Sequence, residues 1–225
     1  ALTGLAPGSI ESRALAMSND GRTVVGTSYR YAGPAFYTGF KWSSGTGRDD
    51  QGQGASFPRY NSFNACSSDA SVVVGYSFAT SSVPVQAFRY SGPGTYQELG
   101  TLAGDNSSQA FGVSADGSVV VGKSYLFQQN IEFGSRAFRW TAEGGMQPLT
   151  NLYSVANAVS ADGNTIAGEM RDATGINAFR WTAAGGFQVL PRLAGTDQEA
   201  SAAAVSPDGN IVVGYSGEYS ALWRN

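Results

Sequence analysis

The chain has 225 residues, a net charge of −3, 30 glycines and only 14% charged residues. That balance excludes the clustered basic surface nucleic-acid binding needs, and no run of about 18 apolar residues is present to span a membrane as a helix. The absence of histidine and the presence of one cysteine, Cys66, exclude histidine-dependent triads, histidine metal sites and an internal disulfide.

In chain order, residues 1–11 carry a Leu2/Leu5 pair, and the same spacing returns at Leu99/Leu102, Leu149/Leu152 and Leu190/Leu193, with Phe57/Tyr60 in the matching slot of the first unit. From residue 12 a unit repeats five times, over approximately 12–60, 61–104, 105–153, 154–195 and 196–225. Each unit has a turn aspartate, at Asp20, Asp69, Asp116, Asp162 and Asp208. A glycine follows six residues later, at Gly26, Gly75, Gly122, Gly168 and Gly214, and an aromatic closes the unit at Trp42, Tyr90, Trp140, Trp181 and Trp223.

Four short strands are predicted per unit. The first is Ala-rich and ends in Ser, the second is Val/Ile-rich and ends in the repeated glycine, the third reads like Phe-Arg-Trp and the fourth carries the leucine pair. Asp-Gly between the first two is a hairpin signal, because glycine tolerates positive φ, and only Asp69-Ala70 departs from it. Four antiparallel strands at a spacing of 46–49 residues describe a blade. The predicted fold is therefore an all-β, five-bladed β-propeller, a single domain over 1–225, with residues 1–11 supplying the closing strand of the last blade.

The first strand of each unit is predicted to be innermost. It keeps Ser18, Ser67, Ser114, Ser160 and Ser206 two residues before the aspartate, and Ala16, Ala65, Gly112, Ala158 and Ala204 four before it. Small residues suit strands crowding one axis. The residue between them is apolar (Met17, Cys66, Val113, Val159, Val205), so Cys66 reads as a packing residue.

The combination of Ser-x-Asp-Gly, Val-Val-Gly and Ala-Phe-Arg-Trp resembles the bacterial extracellular HAF repeat, named for a His-Ala-Phe motif, over all five units. The histidine is absent, its place being assigned to Thr38, Gln86, Arg136, Asn177 and Ser220. The resemblance implies a secreted or cell-surface protein, such as an autotransporter passenger, and names no activity.

The turn between the first two strands never changes length, whereas the glycine-to-aromatic spacing runs 16, 15, 18, 13 and 9. Variation therefore gathers on the opposite face, and rigid scaffolds carry function on variable loops. Those segments are aromatic and polar. The candidate ligand-binding residues are Tyr29, Tyr31, Tyr37, Tyr125, Phe127, Arg171, Asp172, Tyr215 and Tyr219. Rings beside amides and acids suit a glycan or a protein surface; the competing reading is that the rings only cap blade packing. One cation per unit stands beside the closing aromatic (Lys41, Arg89, Arg139, Arg180, Arg224) and is expected to pair with a turn aspartate. Ser-x-Asp-Gly supplies too few oxygens for a calcium loop.

These residues predict a non-enzymatic interaction module with no catalytic residues, metal or cofactor. The alternatives are a glycosidase working through carboxylates such as Glu11 and Glu199, and a passive display domain. Glu11 and Glu199 clustering with a third acid in a deep cleft would favour the enzyme, and an aromatic rim would favour binding.

Overall fold

The computed structural model describes residues 9–30, 36–49, 60–78, 84–93, 95–193 and 199–224. The chain is a five-bladed β-propeller. Blade 1 is β1 (Ser9–Met17), β2 (Thr23–Arg30), β3 (Phe36–Ser43) and β4 (Gly47–Asp49). Blade 2 is β5 (Tyr60–Cys66), β6 (Val73–Phe78), β7 (Gln86–Tyr90) and β8 (Tyr96–Glu98). Blade 3 is β9 (Ser107–Val113), β10 (Val120–Gln128), β11 (Ile131–Thr141) and β12 (Gly145–Pro148). Blade 4 is β13 (Ser154–Val159), β14 (Thr165–Asp172), β15 (Gly175–Thr182) and β16 (Gly186–Val189). Blade 5 shows β17 (Ala200–Val205), β18 (Ile211–Ser216) and β19 (Tyr219–Arg224). Residues 1–8, predicted to close that blade, lie outside the described residues; Ser9 already belongs to the first strand of blade 1.

The repeated residues set each blade locally. Every inner strand carries a one-residue bulge, at Leu15, Asn64, Phe111, Asn157 and Ala203. The bulge presses the strand against its neighbour at the repeated glycine. A Cβ at Gly26, Gly75, Gly122, Gly168 or Gly214 would fall 1.8–2.0 Å from a backbone oxygen of the inner strand, so no other residue fits there.

The aspartates work inside their own turns, which corrects the expected Asp–Arg pairs. Asp116 accepts the Ser114 hydroxyl at 2.6 Å and the Ser118 N–H at 3.0 Å, while Ser114 Oγ accepts the Val119 N–H at 2.9 Å. The same arrangement stands at Asp20, Asp69, Asp162 and Asp208. Two of the cations instead reach the next blade's turn. Lys41 Nζ donates to the Ala70 carbonyl at 2.7 Å and Arg89 Nε to the Gly117 carbonyl at 3.0 Å. Register corrects blade 5 as well: Val213 pairs with Leu222 as Ala167 pairs with Arg180. Leu222 therefore holds the cation slot, not Arg224. By the same register Tyr219, not Ser220, corresponds to Thr38, Gln86, Arg136 and Asn177.

The leucine pairs lie just after the short outer strands rather than within them. Leu99, Leu149 and Leu190 donate their N–H groups at 2.9 Å to Ala87, Ala137 and Ala178. Apolar clusters fill four junctions. Val25 packs with Phe63 and Phe88 between blades 1 and 2, and Val74 with Val120 and Phe138 between blades 2 and 3. Val121 packs with Ile166 and Phe179 between blades 3 and 4, and Ala167 with Val212 and Trp223 between blades 4 and 5. Among the described residues no helix is long and apolar enough to cross a membrane.

Candidate functional site

Two residues picked from sequence converge. Tyr29 on β2 and Tyr37 on β3 are a cross-strand pair, with ring centroids 4.9 Å apart and planes tilted by 57°. Cross-strand aromatic pairs stabilise a hairpin end, yet Tyr37 remains exposed. Both line a cavity of about 340 Å³ between blades 1 and 2, with Glu11, Arg13, Leu15, Thr27, Ser28, Ser62, Asn64 and Tyr76 as its other walls.

The floor of this cavity is a polar network. Thr27 and Ser62 share a hydrogen bond of 2.7 Å, Ser62 donates to Asn64 Oδ1 at 2.8 Å, and Asn64 Nδ2 donates to the Ala110 carbonyl at 2.8 Å. Asn64 is the bulged residue of β5. The bulge residue's amide is thus anchored to blade 3, the re-aiming role such irregularities play. Arg13 Nε donates to Glu11 Oε1 at 2.5 Å at the rim. Burial, opposed by a Ser62 hydrogen bond, raises the pKa of Tyr76. Its phenol therefore stays protonated at neutral pH.

The arrangement offers two ring faces, an amide, hydroxyls and an exposed ion pair. It can bind a ligand that has an apolar surface and polar groups. Glu11 is the one carboxylate among the described lining residues. Glu199 is exposed at the start of blade 5. Among the described residues no group of three acidic or cysteine side chains could hold a metal ion.

The other candidates stand elsewhere, and Tyr31 lies outside the described residues. Tyr125 is buried, with Lys123 Nζ 4.9 Å from its ring centroid; burial first, then Glu132, pushes its phenol up to about 12. The Phe127 backbone is clamped by Asn106, through bonds of 2.8 and 2.9 Å. Arg171 lies 5.8 Å from the Tyr153 ring centroid. Asp172 caps the β14–β15 hairpin, accepting from Thr174 N–H and Oγ1 at 2.7 and 2.6 Å and from Asn177 Nδ2 at 3.0 Å. Tyr215 and Tyr219 are exposed on blade 5.

The eight described candidates therefore split over four blades. In blade 3 the extra length expected in a loop is instead taken up by the long β10–β11 hairpin, closed by Gln129 and Asn130 at positive φ. The cavity residues overlooked in sequence include Arg13, Thr27, Ser62, Asn64 and Tyr76. A signal did exist: the residue after the repeated glycine is Thr27, Tyr76, Lys123, Glu169 or Tyr215, variable where its neighbours are constant.

No family model matches the chain, and no curated protein does. Solved structures do. A putative TolB from Agrobacterium tumefaciens superposes with a TM-score of 0.60 at 15% identity, over 93% of this chain and 72% of that one. TolB from Acinetobacter baumannii gives 0.59 at 16% identity, and there 94% of this chain spans about half (51%) of the other. The β-propeller domain of the Trilobed protease from Pyrococcus furiosus, described as having an open velcro topology, gives 0.57 at 10%, over 95% and 66% of the two chains. At such identities the likeness is one of fold.

Proposed function

We propose that the chain, as one propeller domain over 1–225, is a non-enzymatic interaction module that recognises a protein segment or a glycan at the Tyr29–Tyr37 cavity. The observation that carries this reading is the pairing of an exposed tyrosine with a bulge-mounted amide and a rim ion pair in one concave site. Concave sites with ring walls and a few placed polar groups are the usual form of a recognition site. The propeller fold shared with TolB proteins supports a protein ligand, since blades make a rigid frame for a contact surface. The HAF-like repeat supports a secreted or cell-surface location. A glycosidase would need a second carboxylate across the cavity, and its described walls offer only Glu11.

The test is a paired screen against immobilised glycans and extracellular protein fragments, with a hydrolase panel beside it. A ligand should lose affinity at least tenfold with Tyr29→Ala/Tyr37→Ala, a loss of about 1.4 kcal/mol or more, and again with Asn64→Ala. Full binding by the double variant, or turnover that depends on Glu11, would overturn the reading.

A further inference from the structure

The junction between blade 5 and blade 1 does not follow the pattern of the other four. At those four, alternate residues of a blade's second strand face the next blade, and Val25, Val74, Val121 and Ala167 are all fully buried. Their counterpart Val213 is 38% exposed, with Ile211 at 36% on the same face and Leu222, opposite it, at 52%. On the other side Met17 is 60% exposed, whereas Cys66, Val113, Val159 and Val205 each pack into the cluster shared with the preceding blade. Among the described residues no apolar cluster joins blade 5 to blade 1.

The polar links end at the same place. A chain of backbone hydrogen bonds runs from turn to turn: Asn19 N–H to Ser68 O at 2.8 Å, Ser68 to Ala115 at 2.9 Å, Ala115 to Ala161 at 3.0 Å and Ala161 to Pro207 at 3.0 Å. Proline has no N–H to donate onward. Blade 5 has Leu222 where the others carry a cation, and in blades 1 and 2 that cation bonds to the next turn. The turn glycines agree. A Cβ on Gly117, Gly163 or Gly209 would fall 2.4–2.6 Å from a side chain of the preceding blade, but one on Gly21 meets only Met17 of its own blade, at 3.9 Å.

We infer that the blade 5 face bearing Ile211, Val213 and Leu222 docks against the blade 1 face bearing Met17 of a second copy of this chain. The two faces are the outgoing and incoming halves of a junction this chain builds four times over, so they are complementary in kind. Among the described residues of one chain each stays exposed, which leaves each open to the other face of a neighbour. A contact of this sort is head-to-tail, using different patches on the two molecules. With the turn N–H and the cation both missing, the contact is apolar and therefore insensitive to salt.

The experiment uses sedimentation velocity over a range of concentrations and thiol cross-linking in a Cys66→Val background. Wild-type protein should associate with rising concentration, equally at low and high salt. Leu222→Glu and Met17→Glu, both at exposed positions, should each weaken association at least tenfold while keeping the wild-type melting curve. A mixture of the Met17→Cys and Leu222→Cys single variants should oxidise to a cross-linked pair of chains. A monomer at every concentration, or an oligomer untouched by both glutamates, would overturn the proposal. So would a Met17→Cys/Leu222→Cys double variant that cross-links within one chain at high dilution, since blade 5 would then close on its own blade 1.

Discussion

Ser114 donates its hydroxyl hydrogen to Asp116 at 2.6 Å while its oxygen accepts the Val119 N–H at 2.9 Å. That relay needs the ionised carboxylate. The Ser114 hydroxyl, then the Ser118 N–H, hold Asp116 at about 2, and the Ser71 N–H leads in holding Asp69 at about 2. Asp20, Asp162 and Asp208 are lowered chiefly by Ser18, Ser160 and Ser206. A carboxylate whose folded pKa lies below its unfolded value adds stability that is complete above the unfolded value and lost as pH falls through the folded one. Melting temperature should therefore fall between about pH 4 and pH 2. Asp116→Asn should remove on the order of one sixth of that fall, because the five turns share it with Asp172, which its Thr174 bonds also lower. Thermal melts across this range check both statements, and an unchanged slope in Asp116→Asn counts against the relay.

Gly122→Ala should be among the most destabilising single-methyl changes in the molecule. The added Cβ would sit 1.9 Å from the Gln109 carbonyl oxygen and 2.9 Å from the Ala110 Cα, both backbone atoms fixed by the β9–β10 ladder. Relief requires the bulge at Phe111 to open, at a cost of about 3 kcal/mol or more. Gly45→Ala, with nothing within 4 Å of its Cβ, should change stability by less than about 0.5 kcal/mol. Chemical denaturation of the two variants separates a close-approach requirement from a general cost of replacing glycine.

What the sequence reveals and hides follows from where each interaction lives. Ser-x-Asp-Gly and the glycine six residues beyond Asp are satisfied inside one hairpin, so their spacing discloses the blade before any tertiary contact is known. The cations are different. Lys41 and Arg89 bond to the backbone carbonyls of Ala70 and Gly117, and every residue carries a carbonyl, so nothing in the sequence marks the partner. Leu222 was hidden because Arg224 imitates the missing cation two residues away, and only strand register separates them. The candidate site was half legible. Tyr29 and Tyr37 stand out as rings at a hairpin end, but Asn64 reaches the cavity through a bulge, which strand alternation alone does not predict. Tyr125 has the same residue type as Tyr29, yet blade 3 extends its hairpin past it and buries it.

Cys66 should be slow to react in the folded protein. Burial is the main influence on its thiol and pushes it up to about 11, with Lys41 pulling modestly the other way. The reactive thiolate is therefore scarce at pH 8. Labelling with a thiol reagent should proceed at least tenfold more slowly in the native state than in denaturant. Cys66→Val should melt within a few degrees of wild type, since Val113, Val159 and Val205 fill the same slot in other blades. Rapid native labelling would show that the junction between blades 1 and 2 opens readily.

Lys41 and Arg89 should each act as a strut between neighbouring blades rather than as an anion site. Lys41→Met keeps the side-chain length and removes the 2.7 Å bond to the Ala70 carbonyl; Arg89→Met does the same to the 3.0 Å bond to Gly117. Each loses one charge-assisted hydrogen bond to a backbone oxygen in a half-buried setting, about 1–2 kcal/mol. The loss is directional. Hydrogen exchange should quicken in the turn of the following blade, at Ala70–Val72 for Lys41→Met and at Gly117–Val119 for Arg89→Met, while each variant's own turn stays protected by its Ser–Asp relay. Leu222→Arg makes the reciprocal test. Blade 5 offers no following turn among one chain's described residues, so at dilutions where the protein is monomeric the added cation should leave exchange at Gly21 and overall stability unchanged. Protection gained at Gly21 would mean that a cation alone can draw blade 1 onto blade 5.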